Sequence, residues 1–200
     1  MDGELSRRKF FREGFRKLAD GLKATASALY SDVESFTESA FTIRPSLIRP
    51  PGALPEKEFL EKCTRCNECV RVCPQQAVMK FVGEGSVNHL TPILNLRKSP
   101  CVLCEGFPCV EVCQPAALVQ PISRRHVQMG TAVINIKLCH AWQGADCDYC
   151  FKECPFPGEA ITLDDSRRPH VVEASCTGCG LCEHICPSRQ PAIIVRKIAY

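Results

Sequence analysis

Long apolar runs are absent from this 200-residue chain. We therefore expect no membrane-spanning helix, which needs about 20 consecutive apolar residues. The chain also lacks a P-loop, a Rossmann glycine fingerprint and a Ser/His/Asp arrangement, so we expect no substrate site and no enzymatic activity of its own. Its hydrophobic fraction of 45% includes 16 cysteines, which leaves few ordinary side chains to build a core.

Cysteine is the residue that the chain has in excess. The 16 cysteines form four groups of four whose first members lie 38, 38 and 37 residues apart, a period that indicates a repeated supersecondary unit. No cysteine is left over to act as a nucleophile. The groups are Cys63, Cys66, Cys69 and Cys73 (group one), Cys101, Cys104, Cys109 and Cys113 (group two), Cys139, Cys147, Cys150 and Cys154 (group three), and Cys176, Cys179, Cys182 and Cys186 (group four).

The spacing within the groups indicates what they bind. Groups one and four read Cys-x2-Cys-x2-Cys-x3-Cys-Pro, which is typical of bacterial ferredoxins, and groups two and three widen one gap but keep the final x3 step. Structural zinc usually needs two C-x2-C pairs separated by a longer stretch, and a disulfide framework usually belongs to shorter, secreted chains. The spacing therefore favours four [4Fe–4S] clusters, with a [3Fe–4S] form or a lost cluster left open for groups two and three.

The ligands of each cluster follow from the ferredoxin rule that the fourth cysteine of one motif binds the cluster of the other. If groups one and four paired instead, and groups two with three, only the partners of the fourth cysteines would change. The crossed sets are Cys63, Cys66, Cys69 and Cys113; Cys101, Cys104, Cys109 and Cys73; Cys139, Cys147, Cys150 and Cys186; and Cys176, Cys179, Cys182 and Cys154.

Short apolar segments accompany the cysteine groups and predict β-strands. They lie at residues 77–79, 117–119, 160–163 and 192–195, each after one group, and at 131–136 before group three. With one helical turn expected after each fourth cysteine, these strands predict an α+β fold of two tandem bacterial-ferredoxin-like 2[4Fe–4S] modules. Because the core is small, we expect the clusters to supply much of the folding energy.

Bound clusters would reverse the charge of the chain. Residues 57–200 hold 16 Lys and Arg against 14 Asp and Glu. Each oxidised cluster with its four thiolates adds roughly −2, so four clusters would turn +2 into about −6. Nucleic-acid binding requires a positive face, and we expect instead a redox protein partner that carries Lys and Arg.

The first 56 residues contain no cysteine. Apolar side chains at Phe11, Phe15, Leu18, Leu22 and Leu29, among basic residues, predict an amphipathic helix for a membrane surface or a partner. Packing on the chain itself and weak twin-arginine export through Arg7 and Arg8 are the alternatives. A proline-rich linker would follow, giving three regions: helix and linker (1–56), module 1 (57–125) and module 2 (126–200).

The chain from residue 47 onward resembles the NapG/MauM family of ferredoxin-type proteins. The segments that carry this resemblance are residues 47–53, 100–113, 129–133, 143–163 and 174–183. It implies a polyferredoxin with four [4Fe–4S] clusters that relays electrons between a donor, such as a membrane-bound quinol-oxidising ferredoxin-type partner, and a reductase.

Two further expectations concern the role and the compartment of the chain. The alternative to an independent carrier is a non-catalytic electron-transfer subunit of a larger oxidoreductase. We expect a cytoplasmic location with peripheral membrane contact through residues 6–29, and periplasmic location by twin-arginine export is the alternative.

Overall fold

Short helices and strands alternate along residues 47–197, the part of the chain that this computed structural model describes. The predicted amphipathic helix lies outside the described residues. The mixture of helix and strand agrees with the predicted α+β class. The helices are Glu56–Lys62 (α1), Glu68–Val72 (α2), Pro108–Glu111 (α3), Tyr149–Lys152 (α4) and Leu181–Ile185 (α5), and 3₁₀ turns span Arg124–His126, Ala141–Gln143 and Glu173–Ser175.

The described strands form three two-stranded antiparallel sheets. The strands are Val78–Lys80 (β1), Pro92–Leu94 (β2), Thr131–Ile134 (β3), Ile161–Leu163 (β4), Pro169–Val171 (β5) and Ile193–Arg196 (β6). Strand β1 pairs with β2 and β4 with β5 as hairpins that connect consecutive cysteine groups. Strand β3 pairs with β6, with Thr131 opposite Arg196 and Ile134 opposite Ile193, so the two ends of the second half of the described region, residues 126–197, meet.

Four of the five predicted strand segments contain a strand, but residues 117–119 form only one isolated bridge, between Ala53 and Leu118. The partner segment contains Pro50, Pro51 and Pro55, and proline has no N–H to donate to a longer ladder. Strands β2 and β5 were not predicted. Each begins with a proline, which a strand tolerates at its first residue but which weakens its sequence signal.

The predicted helical turn after each fourth cysteine is wrong, because the helix comes before that cysteine. Helix α2 ends at Val72 and α5 at Ile185, so that Cys73 and Cys186 are the capping residues, with ψ of 111° and 119°. A proline follows both cysteines, and a residue before proline is pushed out of the helical region into extended backbone. The proline therefore ends each helix at the fourth cysteine.

Cysteines lie inside the core rather than around it. Phe59, Leu103, Val127 and Ile161 are almost fully buried, and most of the cysteines either belong to the same core cluster or pack against it. A core interleaved with thiols in this way depends on whatever those thiols bind.

A buried arginine fixes the segment that leads into α1. Arg49 is 5% exposed and donates hydrogen bonds to Thr91 Oγ1 at 2.8 Å and Pro92 O at 2.9 Å. Its guanidinium pairs with Glu56 and lies 4.5 Å from the centre of the Phe59 ring. Burial alone would raise the pKa of Glu56, but hydrogen bonds from Arg49 and Lys197 outweigh it and hold that pKa below its usual value.

None of the helices within residues 47–197 has the length and apolar character needed to cross a membrane.

Candidate metal centres

Four cavities are each lined by four cysteines. Their free volumes, partly open to solvent, are about 360, 370, 360 and 320 Å³ for cavities one to four. Cavity one is lined by Cys63, Cys66, Cys69 and Cys113, cavity two by Cys73, Cys101, Cys104 and Cys109, cavity three by Cys139, Cys147, Cys150 and Cys186, and cavity four by Cys154, Cys176, Cys179 and Cys182.

Each cavity takes three cysteines from one group and the fourth from its neighbour. Helix α2 shows how this happens: Cys69 lies within the helix and lines cavity one, whereas Cys73 caps the helix and lines cavity two. Helix α5 likewise sends Cys182 to cavity four and Cys186 to cavity three. These sets have the composition of the crossed arrangement. The alternative pairing would require Cys186 beside group one, where the structure places Cys113.

The loops that carry the first three cysteines of groups one and four follow the same unusual backbone path. Arg65 and Asn67 have φ of 59° and 67°, and Gly178 and Gly180, at the equivalent positions, have φ of 70° and 82°. Left-handed residues at these two positions turn the loop back on itself, so three thiols face one cavity.

Hydrogen bonds point at several of the sulfur atoms. The backbone N–H groups of Leu118, Ala132 and Ala192 donate to the Sγ atoms of Cys113, Cys176 and Cys186 at 3.4, 3.4 and 3.3 Å. Burial raises the pKa of Cys179, and the backbone of Leu181 and the side chain of Thr177 partly offset that rise. Such bonds stabilise thiolate ligands and influence the reduction potential of a bound cluster.

Several of the thiols have raised pKa values and therefore do not readily lose their protons unless a cation is bound beside them. Burial, together with neighbouring thiols, raises the pKa of Cys69, Cys101 and Cys150 to about 12 and that of Cys109 to about 11. The thiolates of these cysteines would hold a positively charged iron–sulfur core, whose binding would displace the protons, as metal binding to cysteine generally does. The donor set therefore fits such a core.

None of the 16 cysteines is paired in a disulfide. Within residues 47–197, no three Cys, His, Asp or Glu side chains converge on a point where one metal ion would bind. The four thiols of each set instead surround a space, an arrangement that fits a multi-atom group better than a tetrahedral zinc ion.

Thr177 was missed by sequence reasoning. It is 3% exposed, whereas Thr64, at the same place in group one, is exposed. Both follow the first cysteine of an identical spacing, so no local signal separates them.

The fold and the cysteine sets define a ferredoxin-type iron–sulfur protein. Residues 58–79 match the 4Fe-4S binding domain family. The chain is 38% identical to the ferredoxin-type protein NapG of Escherichia coli (strain K12) over 205 aligned residues, covering 96% of this chain and 86% of that protein. It is 36% identical to the methylamine utilization ferredoxin-type protein MauM of Paracoccus denitrificans over 189 residues, covering 89% and 84%, and 37% identical to MauM of Methylorubrum extorquens over 190 residues, covering 89% and 86%.

The chain belongs to the NapG/MauM family of ferredoxin-type proteins. Its family and its 4Fe-4S binding domain support an iron–sulfur electron-transfer role.

Proposed function

We propose that this protein is a polyferredoxin that carries four [4Fe–4S] clusters and relays electrons between a donor and a reductase. The observation that carries the proposal is the division of the 16 cysteines, with none left over, among four cavities of similar size. Each set would bind one cluster, with groups one and two in module 1 (57–125) and groups three and four in module 2 (126–200). Catalysis belongs to the partners.

Each crossed ligand set joins the two cysteine groups of one module, so each module is expected to fold as a unit. A cluster bound by Cys63, Cys66, Cys69 and Cys113 ties residues that are up to 50 positions apart in the sequence, and its neighbour does the same through Cys73. Removal of the clusters is therefore expected to unfold both modules, because the binding free energy of the metal is also folding free energy.

The net charge of the modules with bound clusters indicates what kind of surface their redox partners present. With about −2 per cluster the module region becomes acidic, so the surfaces that exchange electrons with it are expected to be rich in Lys and Arg. A membrane-bound quinol-oxidising ferredoxin-type protein fits the donor role that family resemblance implies. We place the protein in the cytoplasm at the membrane surface, with export to the periplasm as the rival.

Elemental analysis of the anaerobically purified full chain tests this function. The proposal predicts a brown protein with about sixteen iron and sixteen acid-labile sulfide atoms per chain, reduced by dithionite and reoxidised by mediators without added substrate. A colourless protein with about one zinc per four cysteines, or an iron content of twelve or fewer in reconstituted samples, would contradict it. A partner that stays bound in high salt would favour a complex subunit over an independent carrier.

A further inference from the structure

Within each half of the described region, residues 47–125 and 126–197, cysteines on or just after the same helix line two neighbouring cavities. Cys69 and Cys73, on and at the end of α2, line cavities one and two, and Cys109 and Cys113 cross in the opposite direction around α3. In the second half, Cys150 in α4 lines cavity three and Cys154, two residues past its end, lines cavity four. Cavity one therefore neighbours cavity two, and cavity three neighbours cavity four.

The two halves meet at cavities two and four. The backbone N–H of Cys101, which lines cavity two, donates a hydrogen bond of 2.9 Å to the carbonyl oxygen of Cys179, which lines cavity four. One hydrogen bond thus connects a ligand of one set with a ligand of the other.

Close packing beside this hydrogen bond holds the two cysteines together. A Cβ atom at Gly180 would lie 2.5 Å from the Leu96 Cβ, so glycine is required for Leu96 to approach α5. Arg97 donates a hydrogen bond to Glu183 O at 2.6 Å, and its own carbonyl oxygen lies 2.9 Å from His184 Nδ1. The segment that leads to Cys101 is thereby fixed along α5.

Cavities one and three take no part in this junction, because neither Cys101 nor Cys179 is among the residues that line them. Cavity one is lined by residues between Cys63 and Leu118, and cavity three by residues between Ile134 and Ile193. Cys66 in cavity one is exposed, and Tyr149 beside cavity three is 52% exposed. In cavity four two of the four cysteines are buried, Cys179 and Cys182, whereas cavities one and three hold one buried cysteine each, Cys69 and Cys139.

Building on the four clusters of the proposed function, we infer that electrons pass through the cavities in the order one, two, four, three, or the reverse. They cross between the halves at the Cys101–Cys179 hydrogen bond. Each step moves one electron between neighbouring clusters and makes or breaks no bond. The order differs from the order of the sequence: group three is at an end of the relay and group four is inside it. Donor and acceptor exchange electrons at cavities one and three.

Magnetic coupling between reduced clusters tests this order, because it weakens steeply with distance. The variant Cys66→Ala/Cys147→Ala removes the clusters of cavities one and three and leaves two and four. The matched variant Cys104→Ala/Cys176→Ala removes two and four and leaves one and three. After full reduction with a strong reductant, electron paramagnetic resonance should show broadened, interacting spectra for the first variant and separate, sharp signals for the second. Sharp signals in the first variant, or coupling in the second, would overturn the order.

Iron positions in the wild-type holoprotein give a second test that does not depend on variants folding. Anomalous scattering from anaerobically grown crystals should show four clusters, with that of cavity four nearest to that of cavity two across the halves. Four clusters in any other neighbour order would overturn the inference and leave the proposed function intact. Fewer than four clusters would instead overturn the cluster count on which both depend.

Discussion

Groups one and four have the same cysteine spacing but lie in different surroundings. In group one Cys66 and Thr64 are exposed, whereas in group four Cys179 is buried and Thr177 is 3% exposed. The spacing thus determines which thiols face one cavity, and residues far away in the sequence determine how much water reaches them. Because exposure and hydrogen bonding influence cluster potentials, two identical motifs are expected to behave differently.

The two loops are also held in different ways. In group four, a Cβ at Gly178 would lie 2.5 Å from the backbone nitrogen and oxygen of Gly130, so backbone packs directly on backbone. In group one, Arg65 at the equivalent position donates hydrogen bonds to Val87 O and His89 O at 3.0 and 3.1 Å. Close packing tolerates little change, whereas exposed hydrogen bonds can be replaced by water.

The largest loss of stability is expected from Gly178→Ala, which disrupts the close backbone packing of group four. The new methyl group would collide with the Gly130 backbone at a residue with φ of 70°, so we expect a destabilisation of about 3 kcal/mol or more and loss of iron from cavity four. Gly106→Ala is the control, since its φ is 71° but nothing lies within 4 Å of the added Cβ; it should cost about 1 kcal/mol. Iron content and the unfolding midpoint under anaerobic conditions measure both. Equal losses in the two variants would show that backbone strain, and not packing, limits the site.

A smaller effect is expected on the group one side from Glu56→Gln. This substitution leaves the buried Arg49 guanidinium without its charged partner, which should destabilise the protein by roughly 1 to 3 kcal/mol. Glu68→Gln is the control, because Glu68 pairs with Arg71 at the surface and exposed pairs contribute little. Denaturant unfolding of both variants against the parent gives the comparison. A Glu68→Gln loss as large as that of Glu56→Gln would contradict the importance of burial.

The smallest effect is expected from Thr177→Val, which keeps the shape of the side chain and removes the hydroxyl group that offsets part of the rise in the pKa of Cys179. A bond to a thiolate stabilises the more negative, reduced cluster, so its loss should lower the potential of one cluster by roughly 20 to 60 mV, the equivalent of one hydrogen bond. Thr64→Val, in the more exposed group one, should change the reduction potential of its cluster by less than Thr177→Val does. Redox titration followed by electron paramagnetic resonance measures both, and an equal shift in the two variants would remove the distinction between the groups.

Local chemistry explains what could be predicted from the sequence. The three-residue steps between cysteines require loops that wrap one site, and short apolar segments predicted five strands, four of which overlap a strand of the structure. Pro74 and Pro187, which follow the fourth cysteines Cys73 and Cys186, explain why each helix ends at that cysteine. The helical turn was predicted after the fourth cysteine, but it lies before it. Strands β2 and β5 were not predicted, because each begins with a proline.

Long-range packing explains what could not be predicted. The backbone N–H of Met129 donates to Thr177 O at 3.0 Å, and Gly130 lies against Gly178, contacts between residues almost 50 positions apart. No local pattern around Thr64 and Thr177 shows that only the second is covered. The meeting of Cys101 with Cys179 across the halves has the same origin.

Iron counting in two double variants tests whether neighbouring cysteine groups share their fourth cysteines. Cys73→Ala/Cys104→Ala removes two cysteines of cavity two, whereas Cys66→Ala/Cys73→Ala removes one from cavity one and one from cavity two. The crossed arrangement predicts that the first variant loses about four iron atoms and the second about eight, with the roughly eight iron atoms of module 2 retained in both variants as the internal reference. A loss of about eight in the first and about four in the second would mean that each group binds its own cluster, and would contradict the account.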